Sequence, residues 1–144
     1  MTNSTNKPTT GFWVISVIAL IWNLIGVMNY VGQAYMTDEM LASLPEAQQD
    51  LYQNIPAWVT AAFAIAVFGG TLGSLLLLLK KKLASIIFSI SILAIIIQMA
   101  WVLFVSKTLE VNGAMGALLP VLVIIIGAFL VSYSKKATAN GWLS

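Results

Sequence analysis

The sequence predicts an all-α membrane protein: a bundle of four transmembrane helices, with a short extracytoplasmic amphipathic helix between the first and the second. Three observations predict it. Of 144 residues, 60% are hydrophobic and 8% charged, against about 25% charged in an average soluble domain. The few charges leave four uncharged runs, 8–37, 51–79, 83–106 and 111–134, each longer than the ~20 residues that cross a ~30 Å hydrocarbon core. Basic and acidic residues also segregate between alternate connections, as they do in multi-pass proteins.

The elements follow in order, and the whole chain, 1–144, reads as one domain. Residues 1–10 form a polar tail in which Asn3-Ser4-Thr5 matches the glycosylation sequon. The first span covers about 12–31. Gly32-Gln33-Ala34 has the small-x-small look of a leader cleavage site, but leaders carry an apolar core of about 7–15 residues, so the segment reads as a span. Ser43-Leu44-Pro45-Glu46 has capping-box spacing. Beyond it Leu44, Ala47, Leu51 and Ile55 recur at helical spacing, opposite Glu46, Gln49, Asp50 and Gln53. This is the amphipathic helix, ended by Pro56; a shorter turn over Asp38–Leu44 is capped by Thr37. The second span, about 57–79, stops at Lys80-Lys81-Lys82. The third, about 83–105, follows at once, so the two form a tight antiparallel hairpin. Asn112-Gly113 is a turn signal before the fourth span, about 114–134, which stops at Lys135-Lys136. In the tail after it, Trp142 and Leu143 are placed to sit back into the interface.

Orientation follows from the lysines. With the N-terminus in the cytoplasm, Lys7, Lys80, Lys81, Lys82, Lys135 and Lys136 are inside and Lys107 alone is outside, while Asp38, Glu39, Glu46, Asp50 and Glu110 are all outside. The positive-inside rule selects this arrangement, with both termini cytoplasmic.

The inventory excludes several functions. There is no Cys and no His, so thiolate nucleophiles, imidazole bases and Cys or His metal sites are all missing. No carboxylate lies within a span, which removes the usual proton relay of a pump. The sequence therefore predicts no enzyme, no cofactor, no metal and no nucleic-acid partner. The expected surroundings are a lipid bilayer, with a homo-oligomer or a larger membrane complex as further partners.

In lipid, helices associate through small residues and interhelical hydrogen bonds. Ala62, Ala66, Gly69 and Gly73 form such a stripe, read as a helix-packing face within the chain or between chains. Pro120 frees the Gly116 carbonyl, giving either a simple kink or a carbonyl lining a cavity. Asn23 lies about 12 residues into its span, where an unpaired amide costs several kcal/mol. Counting from the same side, Gln98 lies roughly 6 Å further in at ~1.5 Å per residue, with Tyr30 just beyond. Trp22, Gln33 and Trp101 complete the set. The six residues are either interhelical glue, at ~0.6–2 kcal/mol per bond, or an aromatic-lined solute pocket in the outer half of the bilayer.

Several stretches carry a family likeness: Trp22-Asn23-Leu24-Ile25-Gly26 with Tyr30, Leu44-Pro45-Glu46-Ala47, Pro56-Ala57-Trp58-Val59, the run from Ala64 to Gly73, and Gly141-Trp142-Leu143. Through them the chain resembles a family of small, largely uncharacterised four-span bacterial membrane proteins, some of which carry the label "sugar transporter". The resemblance implies a bacterial inner-membrane setting. The likeness to small multidrug exporters is one of size only, since those need a membrane-buried Glu.

Two functions are expected from these residues. The first is binding or transport of a neutral polar solute, sugar-like in its hydroxyls, by a homo-oligomer. The alternative is a non-catalytic structural or accessory subunit of a larger membrane complex. The orientation is directly testable, because the native chain has no thiol. A cysteine introduced for Lys81 should resist a membrane-impermeant thiol reagent in intact cells, and one introduced for Asp50 should react; the opposite pattern overturns the orientation.

Overall fold

The computed structural model describes residues 7–113 and 115–144; the sequon at Asn3 and the first residue of the expected fourth span, Ala114, lie outside them. Among these described residues seven helices follow one another: α1 (Thr10–Ala34), α2 (Asp38–Ala42), α3 (Glu46–Gln53), α4 (Ala57–Leu78), α5 (Leu83–Phe104), α6 (Thr108–Asn112) and α7 (Met115–Ala139). No strand occurs among the described residues. The helices α1, α4, α5 and α7 are long and apolar enough to cross a membrane, as those of a multi-pass membrane protein are.

Local chemistry sets the helix ends. Thr9 starts α1, its Oγ1 accepting from the Phe12 backbone N–H at 3.2 Å. Thr37 starts α2 in the same way through Met40. The capping box expected at Ser43 does not form. Ser43 ends α2 instead, donating to the Met40 carbonyl at 2.6 Å. The Pro45 carbonyl receives the first N–H groups of α3, from Gln48 and Gln49. The chain also departs from expectation at α7, which runs past Lys135 and Lys136 to Ala139. Lysine ends the membrane-compatible run but favours helix. What stops α7 is Gly141, at φ 77°, with Gly141 N–H bonded to the Thr138 carbonyl and Trp142 N–H to that of Ala137. That double closure needs a left-handed residue. The same motif ends α4, where Lys80 takes the left-handed place at φ 59°.

The four long helices pack in sequence, α1 on α4, α4 on α5 and α5 on α7. Small residues allow it, because only they let backbones come close in lipid. On α4, Val67 and Gly70 face α1, where Gly26 and Asn23 meet them. The neighbouring stripe of Ala66, Gly69 and Gly73 faces α5: Ser91 Oγ donates to the Ala66 carbonyl at 2.7 Å, and Phe88 lies over Gly73. Gly127 of α7 receives Ile92 and Ile95 of α5. Most hydroxyls in the spans bond back to their own helix, as Ser16 does to Phe12 and Thr71 to Val67, so they carry no orphaned donor into the apolar layer. Leu75, Leu79, Ile96, Ile97 and Ile125 turn outward and stay exposed.

The two ends of the bundle differ. At the lysine-rich end Phe12, Leu77, Ala84, Ala137 and Leu143 form one buried cluster. Trp142 packs edge-on against Phe12 at 5.7 Å, and Phe12 stacks on Tyr133 at 6.3 Å. Trp142 and Leu143 thus sit back against the protein itself. Ser144 then pairs with the α4–α5 turn, its N–H donating to the Lys80 carbonyl at 2.8 Å and its carbonyl accepting from Lys82 at 3.2 Å. At the other end the short helices α2, α3 and α6 join the long ones. A side-chain bond at 2.8 Å from Gln48 to Asn112 ties α3 to α6. Gln48 takes the inward place on α3, and Ala47 is exposed.

A Cβ on Gly70 would overlap Asn23 Oδ1, whereas a Cβ on Gly32 meets nothing within 4 Å. Gly70→Ala should therefore lower stability by about 1–3 kcal/mol through overpacking. Gly32→Ala should be neutral or stabilising by up to ~1 kcal/mol. Thermal unfolding of the two purified variants checks the contrast.

Candidate functional site

Asn23 is held by α4. Its Nδ2 donates to the Ala19 carbonyl at 2.8 Å and to Ser74 Oγ at 3.3 Å. Ser74 in turn donates to the Gly70 carbonyl. Because a Cβ on Gly70 would run into Asn23 Oδ1, a Gly70 Cα–H points at that oxygen, a weak but recurrent interhelical contact. Beside the amide, between all four long helices, lies a void of about 20 Å³ lined by Trp22, Asn23, Gly70, Phe88, Ser91 and residues of α7. One water needs ~10–15 Å³ and a small-molecule pocket about 300–1,000 Å³, so this void has room for a single water.

The other expected site residues lie elsewhere. Tyr30 sits between Phe63 and Phe68 of α4, edge-on to both at 5.5 and 5.6 Å. Gln98 is buried on the α5 face that carries Ser91 and Ala94, and Trp101 is half-buried one turn further on. Ser91 borders the void beside Asn23, and Gln98 follows it by seven residues, about 10 Å along the helix. Asn23 bonds to Ser74 and not to Gln98. Trp22 and Asn23 thus share the small void, and neither Tyr30, Gln98 nor Trp101 lines it.

Gln33 lies in a second and larger cavity, of about 320 Å³, at the end of the bundle that carries α2 and α3. It opens between the last turn of α1, the end of α3 and the first turn of α4. Gln33, Tyr52, Gln53 and Thr60 supply its polar groups, and Leu41 and Ile55 part of its apolar wall. The fold brings these together because α3 ends at Gln53 and Asn54–Pro56 turn the chain straight into α4. Among the described residues, none of the four polar side chains has a hydrogen-bond partner in the protein. Their neighbours are committed: Gln48 to Asn112, Gln49 to the Leu44 carbonyl at 2.8 Å, and Asn54 to the Asp50 carbonyl at 2.8 Å. No ionised side chain lines the cavity. Among the described residues no group of three His, Cys, Asp or Glu is placed to hold a metal.

Sequence reasoning included Gln33 and missed Tyr52, Gln53 and Thr60. A usable signal was present. Three polar side chains flank Pro56 where the chain turns into a span, and a Pro-directed reversal brings the residues on its two sides together. No family model, curated protein or solved structure matches the chain.

The Asn23–Ser74 bond predicts a measurable coupling. Asn23→Ala and Ser74→Ala should each cost about 1 kcal/mol, and the double-mutant cycle should return ~0.6 kcal/mol or more. Additive losses, measured by denaturant titration in detergent, would remove that bond from the account of α1–α4 packing.

Proposed function

We propose that this is a small integral membrane protein that binds a neutral polar solute, sugar-like in its hydroxyls, in the cavity between α1, α3 and α4. The observation that carries the reading is the convergence of four uncharged, uncommitted polar side chains on one cavity of about 320 Å³. Two amides, a phenol and a hydroxyl offer both donors and acceptors. The Tyr52 ring and the apolar wall suit the C–H face of a sugar ring, and the volume falls within the range of small-molecule sites. With no charge to satisfy, an ionic ligand gains nothing there.

The lysine-rich end belongs in the cytoplasm by the positive-inside rule. This puts α3 and the cavity on the outer side and both termini inside. The family likeness supports a bacterial inner membrane. Below the cavity, the void beside Asn23 has room for one water only. Passage of a solute therefore calls for a second conformation or for a homo-oligomer. The commitment of Asn23 to Ala19 and Ser74 favours a second reading, a non-catalytic accessory subunit of a larger membrane complex whose amides serve only as glue.

Calorimetric titration with a panel of neutral mono- and disaccharides and polyols separates the two. The binding reading expects saturable binding of at least one. Gln33→Leu and Gln53→Leu should each weaken it about tenfold or more, the equivalent of one lost hydrogen bond near 1.4 kcal/mol, with unfolding temperatures near that of the parent. An accessory subunit would bind none of the panel and would leave the membrane in stoichiometric complex with a partner under mild solubilisation.

A further inference from the structure

We propose that the segment after α7, residues 140–144, is a releasable plug that seals the lysine-rich end of the bundle. Leu143 is its stopper. It is 3% exposed and shares one buried cluster with Phe12 of α1, Leu77 of α4, Ala84 and Phe88 of α5, and Leu130 and Ala137 of α7. The cluster draws on all four long helices, and Leu143 is its one buried member outside a helix. Phe88 and Leu130 also line the void beside Asn23. This cluster therefore stands between that void and water at the lysine-rich end.

Helix packing leaves a place for the plug. Among the long helices, α1 packs closely on α4, and α7 on α5. At this end α1 and α7 meet through rings: Phe12 stacks on Tyr133 at 6.3 Å, and Trp142 lies edge-on to Phe12 at 5.7 Å. The segment thus closes the side of the bundle that helix packing leaves to side chains. It stands on this packing alone and does not depend on the solute cavity at the opposite end.

Three features make the segment releasable rather than a fixed part of the core. First, it hangs from Gly141, at φ 77°, and glycine crosses between left- and right-handed backbone at little cost. Second, its polar ties lie at the water boundary. Ser144 N–H donates to the Lys80 carbonyl at 2.8 Å, and Lys82 N–H to the Ser144 carbonyl at 3.2 Å. All three residues are exposed, so water takes over these bonds when the segment leaves. Third, the receiving turn is strained. Lys80 holds a left-handed φ of 59°, and such strain persists only where the surroundings impose it; the Ser144 bonds do so, and their release lets the turn relax. Burial of one leucine favours the docked form by roughly 10- to 150-fold. Opening is then a local event, far easier than unfolding, and it admits water to the buried ends of α1 and α4.

The test uses the full chain in nanodiscs and its lack of native thiols. Two single reporters are introduced. Ser16→Cys is nearly isosteric, one turn from Phe12, at a fully buried residue whose hydroxyl bonds only to its own helix. Ala62→Cys lies in the buried part of α4 toward the other end. A charged methanethiosulfonate reaches a buried thiol only through an opening. Leu143→Ala should speed modification at position 16 by about tenfold or more and leave position 62 unchanged. Equal acceleration at both positions marks general loosening, and none at position 16 means that Leu143 seals nothing; either result overturns the plug. Hydrogen exchange of the unsubstituted chain guards against a variant that merely folds poorly. The Ser144 and Lys82 amides should share one protection factor, about tenfold or more below those of Leu77 and Phe88. Protection equal to that of Leu77 and Phe88 makes the segment a fixed part of the core and overturns the proposal, as do unequal values for Ser144 and Lys82.

Discussion

The close approach of α1 and α5 to the two sides of α4 is the constraint on which the rest of this bundle depends. Between 66 and 74 the helix offers Ala, Gly or Ser where a neighbour comes nearest, except at Val67, where the small residue is Gly26 of α1. In lipid no hydrophobic drive holds helices together, so contact must come from dispersion at short range and from a few hydrogen bonds. Gly70 lets Asn23 lie against its backbone, and Ser74 then receives the amide N–H. Gly69 and Ala66 let Ser91 reach a carbonyl of α4 that already serves its own helix. Seam and hydrogen bond are therefore one device, since each polar bond exists only because a side chain is missing opposite it.

That device acts in the half of the bundle nearer the lysines, and it explains why the two ends differ. There the helices converge, and the Gly141 turn folds Trp142 and Leu143 over the end of α1, so the core is continuous from Phe12 to Leu143. Toward the other end α1 carries no buried residue beyond Ala19. Tyr30 still packs on Phe63 and Phe68 of α4, and beyond it α2 and α3 carry the chain from one helix to the other. The cavity lies where Gln33 of α1, Thr60 of α4 and the end of α3 meet. Its polar groups stay unpaired because α3 is too short to fill the space and leaves Gln53 and Tyr52 at the edge.

Much of the fold was legible because a bilayer imposes so blunt a rule. Uncharged runs of the right length, bounded by lysines and acids, located the long helices to within a few residues. The error at α7 is informative: Lys135 and Lys136 mark where hydrocarbon ends, but a helix is ended by its backbone, and the backbone instruction was Gly141. At Ser43 a good capping pattern lost to Pro45, which cannot donate and is already extended. Among the six candidate site residues, Asn23, Gln98 and Tyr30 are linked by a depth count that starts both spans at one level. In fact Asn23 faces Gly70 and Ser74, so by antiparallel register Phe12 reaches past the end of α4, down to the folded-back tail. The count thus made Asn23 and Gln98 closer than they are. Asn23 did need a partner, as an amide in hydrocarbon must, but nothing in one sequence distinguished Ser74 from Gln98.

The same physics separates glue from site. Asn23 and Ser91 spend their donors on carbonyls and a hydroxyl of the bundle, and the void beside them is too small for anything but water. Gln33, Tyr52, Gln53 and Thr60 are chemically no different, yet their donors and acceptors are unspent. A polar group deep in the bilayer cannot stay unpaired, because the alternative is hydrocarbon. At the end of the bundle, where bulk water has access, such a group can be solvated. Displaceable water over convergent, uncharged groups is what a neutral polar ligand needs. Position along the helix axis thus separates the Asn23 amide, spent on Ala19 and Ser74, from that of Gln33, which has no partner among the described residues.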